Sequence, residues 1–546
     1  MIAQMPSPPV SADLQPRSRA HGALTWSILI VATVLILFGP ICRNSFLAFD
    51  DDRTIQFNPR ISDPSLSNVA WYWRHAYMDL YVPVTYTVWS GLSFVSRLWH
   101  GEGQPDPAIF HAASVGLHAL NAILVFLLLW RLIKKPAPAA AGALLFAMHP
   151  VQVEAVAWAS GLKDLLCATF SLIALLQSVA AVSPVEKDGR QTLRPHVHYA
   201  IGLFALALGM LCKPTAMVMP VMALILDWLL LRRPWRAALR SVGPWLGLSL
   251  ACAVWTKLCQ PSDFRHAVAL WQRPLIAGDA LAFYLFKLVW PARLSYDYGR
   301  TPALVLEHGW EFVTWLAPAS IAAILFVCRK RAAVVAAAAL LLVAGLAPVL
   351  GLTTFDFQVY SGVADHYLYL AMLGPALAAA WFVNRFRADA RVVLATTCIL
   401  GLLAVRTETQ TRYWRDDQTF FTHAIEINPR SWGSYFALAT VAHNRAAQLA
   451  NDPAAADASL RQALELYHRT LELNPNHLGA EHSYATILMH FGRWQKAAAA
   501  LADVVARRDR LPPGGRVQFA QDDQMLAYCL GRVRDGHSAA TASSAD

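Results

Sequence analysis

The sequence predicts an all-α protein in two parts. A polytopic membrane region of about eleven spanning helices covers residues 22–410, and a helical-repeat solenoid covers 411–534. Three observations carry this reading. The 546 residues are 56% hydrophobic and only 15% charged, against roughly 45–50% and about 25% in soluble chains. The apolar residues gather in stretches near the ~20 residues that a bilayer requires. From about residue 413 the pattern turns polar, Ala-rich and internally repetitive. A soluble enzyme, a disordered chain and a fibrous repeat are excluded.

The first 21 residues are polar and are expected to be a disordered cytoplasmic N-terminus. Gly22 to Cys42 then runs without an Asp, Glu, Lys or Arg. It is long for a signal-peptide core and has no clear small-residue cleavage site, so it reads as an uncleaved first span. Further apolar stretches follow at about 107–130, 136–153, 165–182, 197–212, 214–231, 241–257, 312–328, 332–352, 366–384 and 391–406. Two more segments, 81–99 with Arg97 and 278–291 with Lys287, read as interfacial helices.

Basic residues near the span ends set the orientation. With eleven spans, one side receives Arg17/Arg19, Arg131/Lys134/Lys135, Lys187/Arg190/Arg194, Arg232/Arg233/Arg236/Arg240, Arg329/Lys330/Arg331 and Arg385/Arg387/Arg391, 18 in all. That side is the cytoplasm. The outer side receives 43–106, a loop around 154–164, Lys213, 258–311, 353–365 and everything after 406. The net charge of +10 is accounted for by these loop clusters, so nucleic-acid binding is excluded. None of the eight cysteines forms a CxxC pair, and neither a disulfide framework nor a zinc site is expected.

In the C-terminal part, Ala424-Ile-Glu-Ile-Asn-Pro429 and Thr470-Leu-Glu-Leu-Asn-Pro475 each match the end of a tetratricopeptide (TPR) helix pair. After Pro475, Ala485, Gly492, Trp494 and Ala497 fall at offsets 10, 17, 19 and 22, the small, turn and aromatic positions of a 34-residue unit; Ala439 repeats the first offset after Pro429. The two prolines lie 46 apart, which is 34 plus 12, so the stretch Leu449–Leu460 reads as a loop insertion. About two and a half repeats are too few for independent stability, and 516–534 is expected to cap them. A disordered tail is expected over 535–546.

If the orientation holds, five polar clusters lie on the outer side. Asp50-Asp51-Asp52 directly follow the first span; three adjacent carboxylates there are costly unless a cation, an Arg or a proton-transfer task uses them. A calcium loop would need Gly and Glu where Ile55 and Ile61 stand. His149 and Glu154, followed by Trp158, Lys163 and Asp164, form the second cluster. Lys213, between two spans with almost no loop, is the third and suits a lipid phosphate. Tyr296-Asp297-Tyr298 is the fourth, and Asp365-His366-Tyr367-Leu368-Tyr369 the fifth. His118 and Asn121 lie inside a span and are expected to bond neighbouring helices; Asp227 is expected to be structural. A transporter concentrates polar residues near the midplane. Clusters at the outer edge suit a reaction between a lipid-borne group and an acceptor outside.

At these residues the sequence resembles the transmembrane and TPR-repeat (TMTC-like) protein O-mannosyltransferases and their bacterial relatives, within the polyprenyl-phosphate-dependent GT-C glycosyltransferases. The resemblance runs from about residue 25 to 500. It rests on Phe49-Asp50-Asp51 with Ile55 and Asn58-Pro59, Tyr81-Val-Pro-Val-Thr85, His118-Ala-Leu-Asn121, His149-Pro-Val-Gln-Val-Glu154, Lys163-Asp164, Lys213-Pro-Thr215, Asp365-His-Tyr-Leu-Tyr369 and Trp414. It implies a GT-C-type membrane glycosyltransferase of a bacterial inner membrane. Such an enzyme moves a sugar, with inversion, from a polyprenyl phosphate to Ser/Thr hydroxyls of proteins on the periplasmic face. Asp50 and Asp51 would be catalytic. Lys213, Lys163 and His366 would hold the donor phosphate. His149, Glu154, Asp365, Tyr367 and Asn58 would contact substrate. A periplasmic TPR domain would capture the protein acceptor; no metal ligand is assigned, though a divalent cation is compatible with the acid cluster. Two positions depart from the family pattern: Leu162 and His366 stand where arginine is common. A glycolipid or polysaccharide acceptor, or a non-catalytic TPR scaffold for an envelope complex, are the alternatives.

Overall fold

The computed structural model describes residues 16–182, 193–259, 268–328, 333–387, 389–510 and 516–543. Among them the only β feature is an isolated bridge between Tyr77 and Leu80; the rest is helix and connection. The chain divides into two compact units. One holds the residues up to Leu294 and Pro302–Arg412; the other holds Ser295–Thr301 and the residues from Tyr413 onward.

The first unit is a multi-pass membrane assembly. Among the described residues seven helices are long and apolar enough to cross a bilayer: Gly22–Arg43, Pro107–Ile133, Ala159–Val182, Pro195–Cys212, Trp235–Cys259, Trp310–Val327 and Ala390–Arg412. Two bent pairs, Pro136–Met148 with Pro150–Ala157 and Asp365–Ala371 with Leu373–Arg385, bend by 52° each. The shorter apolar helices Pro214–Leu230 and Ala333–Val349 complete the set, so each of the eleven expected stretches is a helix. The two interfacial candidates, Pro83–His100 and Arg273–Val289, are not among the spanning helices.

Proline marks the starts. Pro83, Pro107, Pro136 and Pro195 each open a helix, where the missing N–H costs nothing. Asp106 caps the Pro107 helix by accepting from Ala108 N. Lys134 ends it in the left-handed conformation, φ +63°, so Pro136 can start the next helix at once. Small residues let helices touch: a methyl at Gly142 would collide with the Ala376 carbonyl, and one at Gly374 with the Ala338 carbonyl. Asp227 is structural as expected, bonded to Arg233 at 2.7 Å and Ser241 at 3.2 Å.

Several boundaries differ from expectation. The first helix begins at Pro16, not Gly22, inside the segment expected to be disordered; residues 1–15 lie outside the described residues. The expected loop 154–164 is helical turns, Val153–Ala157 and Ala159–Gly161, running into Leu162–Val182. Of the basic residues used for orientation, Lys187, Arg190 and Arg329–Arg331 lie outside the described residues.

In the second unit, helices Asp417–Ile427, Trp432–Gln448, Pro453–Leu473, Leu478–His490 and Trp494–Arg508 each pack on the next. Ala439, Ala485 and Ala497, the small positions of the repeat spacing, are completely buried. Asp522–Ser543 packs on Trp494–Arg508 and buries Cys529 beside Leu501. This helix passes residue 535, where a disordered tail was expected. Leu449–Leu460 is not a loop insertion: only 449–452 connect, and Asp452 caps a helix beginning at Pro453 by accepting from Ala455 N. Ala-rich sequence after a cap and an N1 proline favours helix, so the extra residues lengthen the helix. Ser295–Thr301 belongs here too. Tyr296 stacks on Phe420 at 4.9 Å and meets Ser434 Oγ at 2.8 Å, while Asp297 accepts from Ser431 Oγ at 2.6 Å.

Candidate functional site

The site grows from three interruptions in the helices of the first unit: the turn after the first span, and the two bends. At the turn, the Asp50 carbonyl accepts from the amides of Arg53 and Thr54, starting the helical turn Asp52–Gln56. Asp50 itself is left-handed, φ +67°, a conformation Asp tolerates better than most residues. The residue before it is pinned: Trp158 Nε1 donates to the Phe49 carbonyl at 2.7 Å, and the two rings stack at 4.8 Å.

The neighbouring acids divide in role. Asp51 is completely buried. Its carboxylate accepts from Leu47 N at 3.1 Å and Ser160 N at 2.8 Å, tying the turn to the segment before Leu162. Burial raises its pKa to about 7 in spite of those donors, and the adjacent Asp50 charge pushes the same way. Asp52 is half-buried and raised by the same cause. Asp50 is partly exposed, and among the described residues nothing hydrogen-bonds its carboxylate. Of the expected pair, the structure leaves Asp50 available and commits Asp51 to holding the turn.

At the first bend, Pro150 follows a helix whose last carbonyls lose their ordinary partners. Each of three is taken by a side chain: Phe146 O by Gln152 Nε2 at 3.1 Å, Ala147 O by His118 Nε2 at 3.0 Å, and Met148 O by Thr407 Oγ1 at 2.6 Å. His118 Nδ1 meets Tyr369 Oη at 2.8 Å, and Asn121 bonds the Leu165 carbonyl, Tyr369 and Thr169. His118 and Asn121 therefore bond neighbouring helices, as expected.

The second bent helix starts, at Asp365, with free amides instead. Glu154 Oε2 accepts from Asp365 N at 2.8 Å and His366 N at 3.2 Å, and Oε1 meets His366 Nδ1 at 2.6 Å. Tyr284 Oη accepts from Ala364 N at 3.2 Å. Lys213 closes the arrangement. It is extended between Cys212 and Pro214, and its ammonium bonds Asp164 Oδ1 at 2.5 Å. Asp164 Oδ2 is buried with no hydrogen-bond partner among the described residues. Lys163 stands 4.4 Å over the Trp158 ring and has no ion-pair partner among the described residues; Asp50, Asp51, Asp164 and Lys213 all act on it electrostatically. Asp164, Cys167, Lys213, Thr215, His366, Tyr367 and Tyr369 line a cavity of about 20 Å³, room for one water. A larger open depression lined by Asn384–Arg387 and Asp389–Arg391 shares no residue with it.

The structure thus brings together Asp50, Lys163, Lys213, Glu154, His366 and Tyr367. Other expected substrate contacts are spent elsewhere. His149 is buried; it donates from Nε2 to the Leu288 carbonyl at 3.1 Å and accepts from Val151 N at Nδ1. Asn58 is 1% exposed, caps Arg60 N, donates to the Thr54 carbonyl and accepts from Tyr72 Oη. Asp365 is buried, its backbone on Glu154 and its charge acting on Lys287. Glu154 stays within the group, its carboxylate filled by the 365–366 turn. The Tyr296–Tyr298 cluster belongs to the other unit. Sequence reasoning gave no role to Trp158, Ser160 or Tyr284; the tryptophan one turn beyond Glu154 was the only visible signal. Among the described residues no group of three or more His, Cys, Asp or Glu is placed to hold a metal.

Comparison with known proteins sets this geometry beside named relatives. The family model described as dolichyl-phosphate-mannose-protein mannosyltransferase matches residues 110–258. The chain is similar to the human protein O-mannosyl-transferase TMTC4, 28% identical over 204 aligned positions covering 34% of this chain and 27% of the relative. The mouse TMTC4 is 22% identical with coverage of 74% and 62%. The Caenorhabditis elegans protein O-mannosyl-transferase F38B6.6 is 23% identical with coverage of 79% and 62%. The matches thus span less than two thirds of these relatives' lengths. Among solved structures, the Archaeoglobus fulgidus oligosaccharyltransferase aligns at TM-score 0.41 and 12% identity, over 73% of this chain and 57% of that one. ArnT from Cupriavidus metallidurans bound to undecaprenyl phosphate aligns at TM-score 0.36 and 14% identity, over 90% and 81%.

Proposed function

This multi-pass chain resembles the TMTC-like protein O-mannosyltransferases, and we propose that it is a GT-C-type glycosyltransferase working by the chemistry that resemblance implies. It transfers a sugar from a polyprenyl phosphate to Ser/Thr hydroxyls of proteins, on the periplasmic side of a bacterial inner membrane. The carrying observation is Asp50: an unencumbered carboxylate, held left-handed at the turn after the first span, beside two lysines between broken helices.

A Ser or Thr hydroxyl is a weak nucleophile at neutral pH. Asp50 accepts its proton as the oxygen attacks the anomeric carbon from the face opposite the phosphate. The anomeric C–O bond breaks and its electron pair leaves with the phosphate, inverting the centre. Lys213 and Lys163 oppose the charge that develops there. Lys213 does this while bound to Asp164, whose Oδ2, without a partner among the described residues, is free to accept from a sugar hydroxyl. A phosphate is larger than the 20 Å³ cavity, so donor binding spreads its rim. Asp51, Trp158 and Ser160 keep the base in place. The repeat unit captures the protein acceptor, since stacked helix pairs offer extended binding surfaces.

The test is a comparison of cells carrying the wild-type chain or Asp50→Asn, by peptide mass spectrometry of envelope and secreted proteins. A positioned base contributes ~10²–10⁴-fold, so Asp50→Asn should remove a hexose increment from Ser/Thr peptides while the chain accumulates normally. Unchanged modification in the variant would overturn the assignment of Asp50. No such increment in the wild type would overturn the protein acceptor and leave the glycolipid reading.

A further inference from the structure

The Glu154–His366 contact at the start of the second bent helix does something that neither residue does alone. Glu154 is 2% and His366 6% exposed. Glu154 Oε2 is filled by two backbone N–H donors, and Oε1 lies 2.6 Å from His366 Nδ1. One proton must lie on that short contact. A second proton decides the charge of the pair. Without it the pair is a buried anion; with it the pair is neutral, and neutrality is the cheaper state for a group removed from water. The second proton sits on His366 Nε2, the ring nitrogen not used by Glu154. His366 lines the cavity that Lys213 and Asp164 also line. The ring is held in this orientation by Glu154 on one side and by Trp158, at 5.7 Å between centroids, on the other.

We propose that Glu154 and His366 act as one titrating unit, a two-proton pair that offers Nε2–H to the donor's phosphate and withdraws the offer when it loses a proton. This rests on the donor reading above and adds a regulation to it. With two protons, the pair donates to a phosphate oxygen without adding net charge. After loss of one, Nε2 is a bare lone pair and the pair is an anion facing an anion, so donor binding weakens as pH rises. The proton belongs to the pair and not to either residue. Glu154 is accordingly a positioning residue.

The titratable groups facing the pair come from the neighbouring elements: Glu154 itself from the first bent helix, Lys163 and Asp164 from Leu162–Val182, Lys213 from the end of Pro195–Cys212, Asp50 from the turn after the first span, Tyr284 from Arg273–Val289, and Asp365 and Tyr367 from the turn of His366 itself. Lys163 and Lys213 offset two of the carboxylates, and a bound phosphodiester adds one negative charge. The phosphate therefore favours retention of the second proton, which links binding to protonation.

The experiment uses the full chain in lipid nanodiscs and a polyprenyl methyl phosphodiester, whose charge stays at −1 across the range. Its affinity is measured from pH 6 to 9 for wild type, Glu154→Gln and His366→Arg. Wild-type affinity should fall with rising pH, by up to about tenfold per unit, the limit for one linked proton. In Glu154→Gln the amide oxygen still accepts the two backbone N–H groups while its NH₂ donates to Nδ1. Nε2–H is then fixed, and binding should persist with the alkaline fall removed. His366→Arg supplies permanent donors and should also bind without the slope. A wild-type profile that is flat, or a slope that survives in both variants, overturns the pair. A failure of wild type to bind the phosphodiester at any pH overturns the donor reading instead. If His366→Arg does not fold, Glu154→Gln alone decides, because a merely structural Glu154 would not move the pH profile.

Discussion

The two bent helices solve the same problem in opposite currencies of charge. Both bend by 52°, and both leave backbone polar groups without helical partners, the first at its break and the second at its N-terminal start, Asp365. The first strands carbonyls and satisfies them with neutral donors, Gln152, His118 and Thr407. The second strands amides and satisfies two of them with a carboxylate, Glu154. Neutral donors complete a structure and leave little behind. A buried carboxylate brings charge, and around it lie Lys163, Lys213, Asp164 and His366. The difference teaches where chemistry can be placed: a helix start capped by charge supplies a field, whereas a break capped by an amide, an imidazole and a hydroxyl supplies only shape.

The sharpest way to break that contrast is at Lys213. Lys213→Met leaves Asp164 buried, with one oxygen already lacking a partner and now the other as well. Removing one member of a buried ion pair costs about 3–5 kcal/mol. Equilibrium unfolding in mixed micelles should show a loss of that size, together with loss of transfer activity. Adding Asp164→Leu should restore most of the stability and none of the activity. Recovery of both would mean that the charged end is structural like the neutral one.

A second test concerns pH. The folded chain holds the Asp51 proton to about pH 7, against 3.8 for the ordinary group. The folded state therefore binds this proton more tightly than the unfolded chain. Its stabilising contribution is complete below about pH 4, is lost as pH rises through 7, and is constant above. Three units correspond to roughly 4 kcal/mol. Asp51→Asn should flatten stability across pH 4–7, at the cost of one amide acceptor. An unchanged slope in the variant would place the titration elsewhere.

These contrasts were only partly legible in the sequence. All eleven apolar stretches are helices because hydrophobic length is a direct requirement of the bilayer, and proline marked many of their starts. The bends were not legible. Residues 136–153 and 366–384 read as straight spans, since an apolar run carries no sign of where its axis turns. The bonds made by His149 and Asn58 were not legible for a related reason: a polar residue at a span end looks the same whether it faces a ligand or fills a backbone carbonyl. Glu154, assigned to substrate, is filled by amides more than 200 residues away in sequence, a pairing no local pattern announces. The stretch 449–460 was misread because a 34-residue period locates extra residues without saying whether they lengthen a loop or a helix; Asp452-Pro453 was the cue for a helix.

The smallest expected effect is also the cleanest control. Thr407 is fully buried, and its hydroxyl gives Met148 the only side-chain donor found for that carbonyl among the described residues. Thr407→Val keeps the shape and removes the donor. In water-exposed proteins an orphaned buried acceptor costs about 1–3 kcal/mol, but hydrogen bonds between membrane helices average only about 0.6 kcal/mol, with a ceiling near 1.7. The carbonyl also has some freedom to tilt at a bend. A loss of about 1 kcal/mol is therefore expected, with transfer activity per folded molecule and its pH profile unchanged. A tenfold or greater drop in activity at normal stability would show that the neutral bend transmits its geometry to the site, through His118, Tyr369 and the turn that carries His366. The division between a break that supplies shape and a helix start that supplies a field would then fail, because the shape of one would be setting the field of the other.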